Sequence, residues 1–300
     1  RFLRGILRLL AMTSLDTQHT DMIHDVQIDF YGKRLATASS DRTIKIFSVD
    51  NRSHTPLAEL RGHDGPVWQV AWAHPKHGNI LASCGYDRKV IIWQESESGW
   101  SISHTYEQHD LSVNSIAWAP QEQGLCLACA SSDTFVSVLS FKENNWSEQK
   151  FAAHKFGVSS VSWCDSGNRF VTGGCDKTVK IWTFKDGKWA PTVLEGHQGW
   201  VRDVAWAPNI GLPYETIASC SQDGSVFIWR ENRNHEWERT ELTKENDVVW
   251  RVSWSSTGNI LAVTSGDNKV TLYTESLNKE GEWKPISQMD EAGSLAFSGE

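Results

Sequence analysis

No stretch of this sequence approaches the ~20 consecutive apolar residues that a membrane-spanning helix requires, so no spanning segment is expected. The amino end, RFLRGILRLLA, is apolar but short and interrupted by arginine. It reads either as a transit-like or membrane-touching helix or as a dispensable extension ahead of Met12. We take the second reading, with residues 1–18 outside the folded domain.

Positive charge is scarce as well. Against 37 acidic residues stand 29 Lys and Arg, giving a net charge of −8 at pH 7 with no basic run. That balance argues against a surface that tracks phosphate, and so against direct nucleic-acid binding. Cysteines number only six, and a 300-residue chain buries enough core to need no disulfide staples. Cys126 and Cys129 form a C-x-x-C, but no second pair exists for zinc. In the strand-like LCLACASS, residues three apart face opposite sides. We read Cys84, Cys126, Cys129, Cys164, Cys175 and Cys220 as free thiols in a reducing compartment, cytosol or nucleus. His74 and His77 share one loop, HPKH, without a further ligand, which makes a solvated loop and not a metal site. Also missing are a Gly-rich phosphate loop, a nucleophile elbow and an HExxH. No catalytic residue, cofactor or metal is therefore expected.

What is abundant is tryptophan, 16 residues, and it recurs with a period. An aspartate precedes a β-branched run in SDRTIKIF (Asp41), YDRKVIIW (Asp87), SDTFVSVL (Asp133), CDKTVKIW (Asp176), QDGSVFIW (Asp223) and GDNKVTLY (Asp267). The steps between these aspartates are 46, 46, 43, 47 and 44 residues. A second element, such as HDGPVWQVAW or HQGWVRDVAW, lies upstream of each. A third follows, often marked by its own tryptophan (Trp100, Trp146, Trp189, Trp237, Trp283). Alternating apolar residues with Gly, Asp and Asn turns favour strands throughout, four per unit. A four-stranded unit of this length with a Gly-His to Trp-Asp signature is a propeller blade. Six blades are expected, at about 19–60, 61–106, 107–152, 153–194, 195–243 and 244–286, followed by a disordered acidic tail, 287–300. Their inner strands read mostly as Val, Ile, Ala and Trp, unlike the His, Glu and Arg clusters of propeller enzymes.

The second unit poses a question, because His63, Ser83 and Asp87 are also the parts of a hydrolase triad. The set recurs along the chain, with Asp in a tight turn and Ser inside a strand, so it reads as architecture. At these residues the repeats resemble the WD40 family. The resemblance implies a structural tetrad of His, Ser or Thr, Asp and Trp. It maps to His63, Ser83, Asp87 and Trp93, to His154, Thr172, Asp176 and Trp182, and to His197, Ser219, Asp223 and Trp229. Three blades depart from it: blade one has Phe47, blade three Cys129 and Leu139, and blade six Glu245, Val263 and Tyr273.

Motifs such as DMIHD, GPVWQVAWAHP, WVRDVAWAPNIGLP and NDVVWRVSW resemble more closely the small propeller subunit of the COPII outer coat, which is also a scaffold nucleoporin of the nuclear-pore Y-shaped complex. This implies an open six-bladed propeller completed in trans by a seventh blade. Its function is then that of a non-catalytic scaffold in ER-to-Golgi transport and in the pore. The implied partners are a large coat subunit with a propeller and a helical solenoid, a helical nucleoporin, and subunits of a lysosomal amino-acid-signalling complex. The implied locations are the cytoplasm, the cytoplasmic face of the ER and its vesicles, the nuclear envelope, and the lysosomal membrane, always through partners. Ile23, Val26, Ile28 and Phe30 of blade one and Val249, Val252, Trp254 and Tyr273 of blade six are the expected partner-blade contacts. A rival reading is an adaptor that binds short peptides on its top face, at Trp68, Tyr86, Trp200, Arg202 and Trp250.

Overall fold

The computed structural model describes residues 15–50, 53–209, 211, 214–276, 281–289 and 295–297. Six antiparallel sheets follow one another along the chain, each a meander that runs outward from an inner strand. The first blade holds β1 (Ile23–Ile28), β2 (Arg34–Ser39), β3 (Thr43–Asp50) and β4 (Ser53–Arg61). The second holds β5 (Val67–Trp72), β6 (Ile80–Gly85), β7 (Val90–Ser96) and β8 (Gly99–Tyr106), the third β9 (Val113–Trp118), β10 (Cys126–Ser131), β11 (Phe135–Lys142) and β12 (Asn145–Ala152). The fourth holds β13 (Val158–Trp163), β14 (Arg169–Gly174), β15 (Thr178–Lys185) and β16 (Lys188–Glu195), the fifth β17 (Val201–Trp206), β18 (Thr216–Ser221), β19 (Ser225–Glu231) and β20 (Trp237–Lys244). The sixth holds β21 (Val249–Trp254), β22 (Ile260–Ser265), β23 (Val270–Glu275), β24 (Trp283–Met289) and β25 (Leu295–Phe297). The chain is an all-β, six-bladed propeller, and the only helical turns among the described residues are two short 3₁₀ segments.

Two local devices shape every blade. The residue after the turn aspartate adopts a left-handed conformation, φ +61° to +82° at Arg42, Arg88, Thr134, Lys177, Gly224 and Asn268. Only blade five places glycine there, and a Cβ on Gly224 would drive into the Glu245 carbonyl. The second device is a bulge near the start of each inner strand, seen as a register shift between Ile23 and Asp25, Val67 and Gln69, or Val249 and Arg251. It turns one side chain per blade out of the ladder toward the mouth of the central channel.

The core lies between blades, in five clusters. Ala36, Ala38, Ile44 and Ile46 of blade one meet Val67, Val70, Leu81 and Trp93 of blade two. Equivalent clusters join two to three, three to four, four to five, and five to six. No such cluster joins six to one among the described residues. Cys129 packs in the blade two–three cluster and Cys126 in the three–four cluster, the opposite faces their spacing dictates. All six cysteines are free thiols.

Both ends differ from expectation. The tail does not leave the fold at residue 286, because β24 runs to Met289 and β25 pairs with it at Ser287–Phe297, Gln288–Ala296 and Met289–Leu295. At the other end, residues 1–14 lie outside the described residues. Residues 15–18 belong to the propeller, with Lys45 Nζ donating to the Thr17 and Gln18 carbonyls.

Candidate functional site

Four of the five junctions from blade one to blade six are held by the same two polar contacts besides their apolar clusters. The third residue of an inner strand accepts a hydrogen bond from a backbone amide of the next blade. Asp25 accepts from Val70, Gln69 from Ile116, Ser115 from Val161, Ser160 from Val204 and Asp203 from Val252, at 2.7–3.4 Å. The terminal tryptophan of an inner strand donates back to a carbonyl of the preceding blade. Trp72 reaches Gln27, Trp118 reaches Ala71, Trp163 reaches Ala117 and Trp254 reaches Ala205, at 2.9–3.2 Å. Blade five is the exception, where Trp206 Nε1 turns to Glu215 and its amide takes Ser162 Oγ instead.

Between blades six and one both contacts change character. The acceptor place on β21 is Arg251, a pure donor, and the tryptophan place on β1 is Ile28. Arg251 Nη1 instead lies 3.5 Å from Asp25 Oδ1. Burial pushes the Asp25 and Asp203 carboxyl groups up, against the pull of the Arg251 charge. The channel wall is therefore polar, not the apolar surface that the inner strands suggested. Here the apolar face of blade one is uncovered: Ile23, Val26 and Ile28 are 39%, 49% and 59% exposed, where Val67 and Val70 are fully buried. Phe30, also exposed, edges against His74 of blade two.

The expectation for blade six needs correction. Val249, Val252 and Tyr273 are buried, and with Trp254 they pack against Ala205, Ala218 and Val226 of blade five. Strand alternation gives each blade two faces, and these residues occupy the wrong one. The face turned toward the seam holds Ala262, Thr264, Val270 and Leu272. By register these are the counterparts of Ala36, Ala38, Ile44 and Ile46, and each is only partly buried. Their signal in the sequence was the parity of the strand, set by the ladder.

The tetrads form hydrogen-bonded chains. In blade two Trp93 Nε1 donates to Ser83 Oγ at 2.8 Å, and Ser83 lies 2.8 Å from His63 Nε2. His63 Nδ1 lies 2.9 Å from Asp87 Oδ2, and an ionised carboxylate only accepts, so Nδ1 carries the proton and Ser83 donates to Nε2. Blade four repeats this through Trp182, Thr172, His154 and Asp176. Blade five differs, since His197 Nδ1 pairs with Ser225 Oγ at 2.7 Å while Asp223 accepts backbone amides of Gln198 and Gly199. Without a direct carboxylate partner, burial lowers His197 to about 4. Blade three keeps His109 on Asp133 at 2.8 Å, but Cys129 leaves His109 Nε2 buried and unpartnered. Burial would raise Asp133, yet the bonds from His109 and the Asp110 and Phe135 amides hold it at about 2. Ser83, Thr172 and Ser219 are fully buried, so no substrate reaches their hydroxyls.

The bulged side chains His24, Trp68, Asn114, Ser159, Arg202 and Trp250 ring one mouth of the channel, a cavity of about 500 Å³. Arg202 lies over both Trp200 and Trp250, at 5.4 and 4.8 Å, and donates to Gln222. Trp68 meets His24 edge-on at 4.5 Å and faces Tyr86 at 6.4 Å. Trp200, Trp250 and Tyr86 stay half-exposed or more. The top-face residues therefore fall into two aromatic groups on one rim. His74 and His77 gather no further ligand, and no metal-binding cluster exists among the described residues.

Comparison with known proteins accords with this architecture. The WD domain, G-beta repeat model matches residues 12–48, 54–94, 100–139, 146–183, 190–230 and 238–274. Each match from the second onward opens in the outer strand of one blade and ends in the third strand of the next. "Protein SEC13 homolog" of Dictyostelium discoideum is 53% identical over 94% of this chain and 99% of its own length. The Homo sapiens "Protein SEC13 homolog" is 53% identical, covering 96% of each chain. "Protein transport protein sec13" of Schizosaccharomyces pombe is 50% identical over 93% of this chain and 99% of its own. By the repeats and by identity over nearly its whole length, the chain belongs to the SEC13 family of WD-repeat propellers.

Proposed function

We propose that this protein is a non-catalytic scaffold subunit of the COPII outer coat, completed at the seam by strands of a large helical-solenoid coat subunit. One observation carries the reading: Ile23, Val26 and Ile28 are exposed at places where the following blades bury their residues under a neighbour. Exposed apolar sheet faces are aggregation hazards that proteins cover. The name "protein transport protein" borne by the Schizosaccharomyces pombe relative supports the transport role. The proposal extends to a helical nucleoporin at the nuclear pore and to a lysosomal signalling complex, since one seat serves any chain that offers matching strands. It places the protein in the cytoplasm, at the ER face and at the nuclear envelope, peripheral through its partners.

The test is affinity purification from cytosolic and nuclear extracts, with stoichiometry by mass spectrometry and hydrogen exchange on the complex. Equimolar helical partners that survive high salt and slow exchange at Ile23–Ile28 are expected. Substoichiometric partners with β1 still exchanging freely would sink the proposal. The second reading, a peptide adaptor, draws support from Arg202 sandwiched between Trp200 and Trp250. It requires partners that are lost on Trp250→Ala and kept on Val26→Asp.

A further inference from the structure

The five occupied junctions define what the two junctions of a seventh blade must contain, and the seam retains part of that blade already. His19 stands where His154 stands in blade four, so Gln18 corresponds to Ala153, the residue just after the outer strand β12. Lys180 Nζ donates to the Ala153 carbonyl in blade four, and Lys45 Nζ makes the same contact to the Gln18 carbonyl in blade one. Residues 15–18 thus occupy the end of the fourth strand of the absent blade. Three strands are left to be supplied, and the innermost lies between β21 and β1.

The rules for that innermost strand follow from the pattern acceptor-x-x-Trp, which the chain carries as Gln69 and Trp72, Ser115 and Trp118, Ser160 and Trp163, and Asp203 and Trp206. The acceptor serves the amide of the next blade, and the indole serves a carbonyl of the blade before in every case but Trp206, which turns to Glu215 of its own blade. At the seam the next amide is that of Val26, and the preceding carbonyl is that of Ser253, the counterpart of Ala205. The Val26 amide meets the carboxylate of Asp25 on its own strand. Val204 likewise meets Asp203 while still donating to Ser160 of the blade before. No inter-blade side chain reaches the Val26 amide or the Ser253 carbonyl among the described residues. The host returns neither contact, because it offers Arg251 in the acceptor place and Ile28 in the tryptophan place.

We infer that the guest's inner strand carries an Asp, Asn, Gln, Ser or Thr that accepts from the Val26 amide, and three residues later a tryptophan that donates to the Ser253 carbonyl. This rests on the proposed seam and goes beyond it by giving the occupant's chemistry. The occupant is a three-stranded antiparallel segment of another chain whose innermost strand reads acceptor-x-x-Trp. The guest supplies both polar contacts, so partner choice is written in the guest.

The experiment uses the full chain with a surrogate guest. A copy of residues 113–144, which spans β9, β10 and β11, is fused ahead of residue 1 through a flexible linker. Urea unfolding is compared with the unfused chain. The fused copy is expected to raise the unfolding midpoint. Within the copy, Ser→Ala at the Ser115 place and Trp→Phe at the Trp118 place each restore about three- to tenfold of the unfolding equilibrium constant. A copy that stabilises equally with and without these two side chains overturns the inference and leaves the seam reading standing. A copy that stabilises in no version overturns both.

A measurement independent of the fusion is made on the complex purified from extract. Hydrogen exchange and cross-linking locate the guest segment that protects Val26, and its innermost strand must read acceptor-x-x-Trp. A different sequence there overturns the inference, as does an isolated chain that sediments as a dimer with Val26 protected.

Discussion

Arg251 of the sixth blade reaches Asp25 of the first across the channel, Nη1 to Oδ1 at 3.5 Å, at the junction where, among the described residues, no apolar cluster joins the two blades. The same guanidinium lies in the field of Asp203, so one cation serves two carboxylates in the channel wall. Elsewhere this place in the strand holds an acceptor for the next blade. At the seam it holds a charge.

Replacing Arg251 with Met removes that charge and leaves both carboxylates in place. A carboxyl raised in the folded state stabilises at low pH and loses that contribution as pH rises through its folded value. Arg251→Met raises Asp25 and Asp203 further, so its deficit grows with pH. We expect a loss of about 1–2 kcal/mol near pH 7, discounted for the partial exposure of the arginine, and a smaller loss near pH 4. Urea unfolding at the two pH values checks it, and an equal deficit at both would contradict this account.

Asp87→Ala should weaken the fold without affecting any activity. Asp87 accepts from His63 Nδ1 and from the amides of Asp64 and Lys89. Loss of a buried multi-bond acceptor costs about 2–4 kcal/mol. A variant whose unfolding midpoint matches the parent protein would mean that the tetrad is not structural.

Blade three offers the reverse experiment. His109 Nε2 is buried without a partner because Cys129 stands where Ser83 stands in blade two. Cys129→Ser supplies a hydroxyl at that place, and we expect a gain of about 1 kcal/mol. Thermal unfolding reads the gain, and a lower melting temperature would show that the thiol's packing outweighs the hydrogen bond.

Acid stability should fall in two stages. His197, lowered to about 4 by burial, takes its proton more readily when unfolded. Its contribution is therefore intact above the ordinary histidine value near 6.5 and is lost as pH falls toward 4, at most about 3 kcal/mol. His109 and His154, lowered for the same reason, act in the same direction. Asp133 and Asp223, held at about 2, add a second loss between about pH 4 and pH 2. Calorimetric melting across pH 7 to 3 checks the first stage, with His197→Asn expected to flatten it.

The two faces of the end blades are separable by charge. Val26→Asp and Ile28→Asp sit on exposed positions and should leave the isolated chain's melting temperature within a few degrees while abolishing partner recovery. Val252→Asp buries a carboxylate against blade five and should prevent folding. Equal damage from Val26→Asp would mean that blade one's outer face is already covered.

The sequence by itself determined the repeat, the strand content, the number of blades and the residues of the tetrads in blades two and four. All of these are local: a period of 43–47 residues, two-residue alternation and turn aspartates are visible within one unit. The tertiary structure decided which face of each blade meets which neighbour. Val252 and Leu272 are both apolar strand residues of blade six, yet one packs on blade five and the other lies on the seam side. Composition cannot separate them, because the choice follows from the order of blades around the ring. The inter-blade relay was hidden for the same reason. Two aspartates, two serines and a glutamine (Asp25, Asp203, Ser115, Ser160 and Gln69) fill one place, united only by an acceptor that meets a neighbouring amide. His197 was legible as a tetrad member, but its turn from Asp223 to Ser225 was not, since Ser225 lies two residues beyond the turn aspartate and only packing decides which of the two the ring meets.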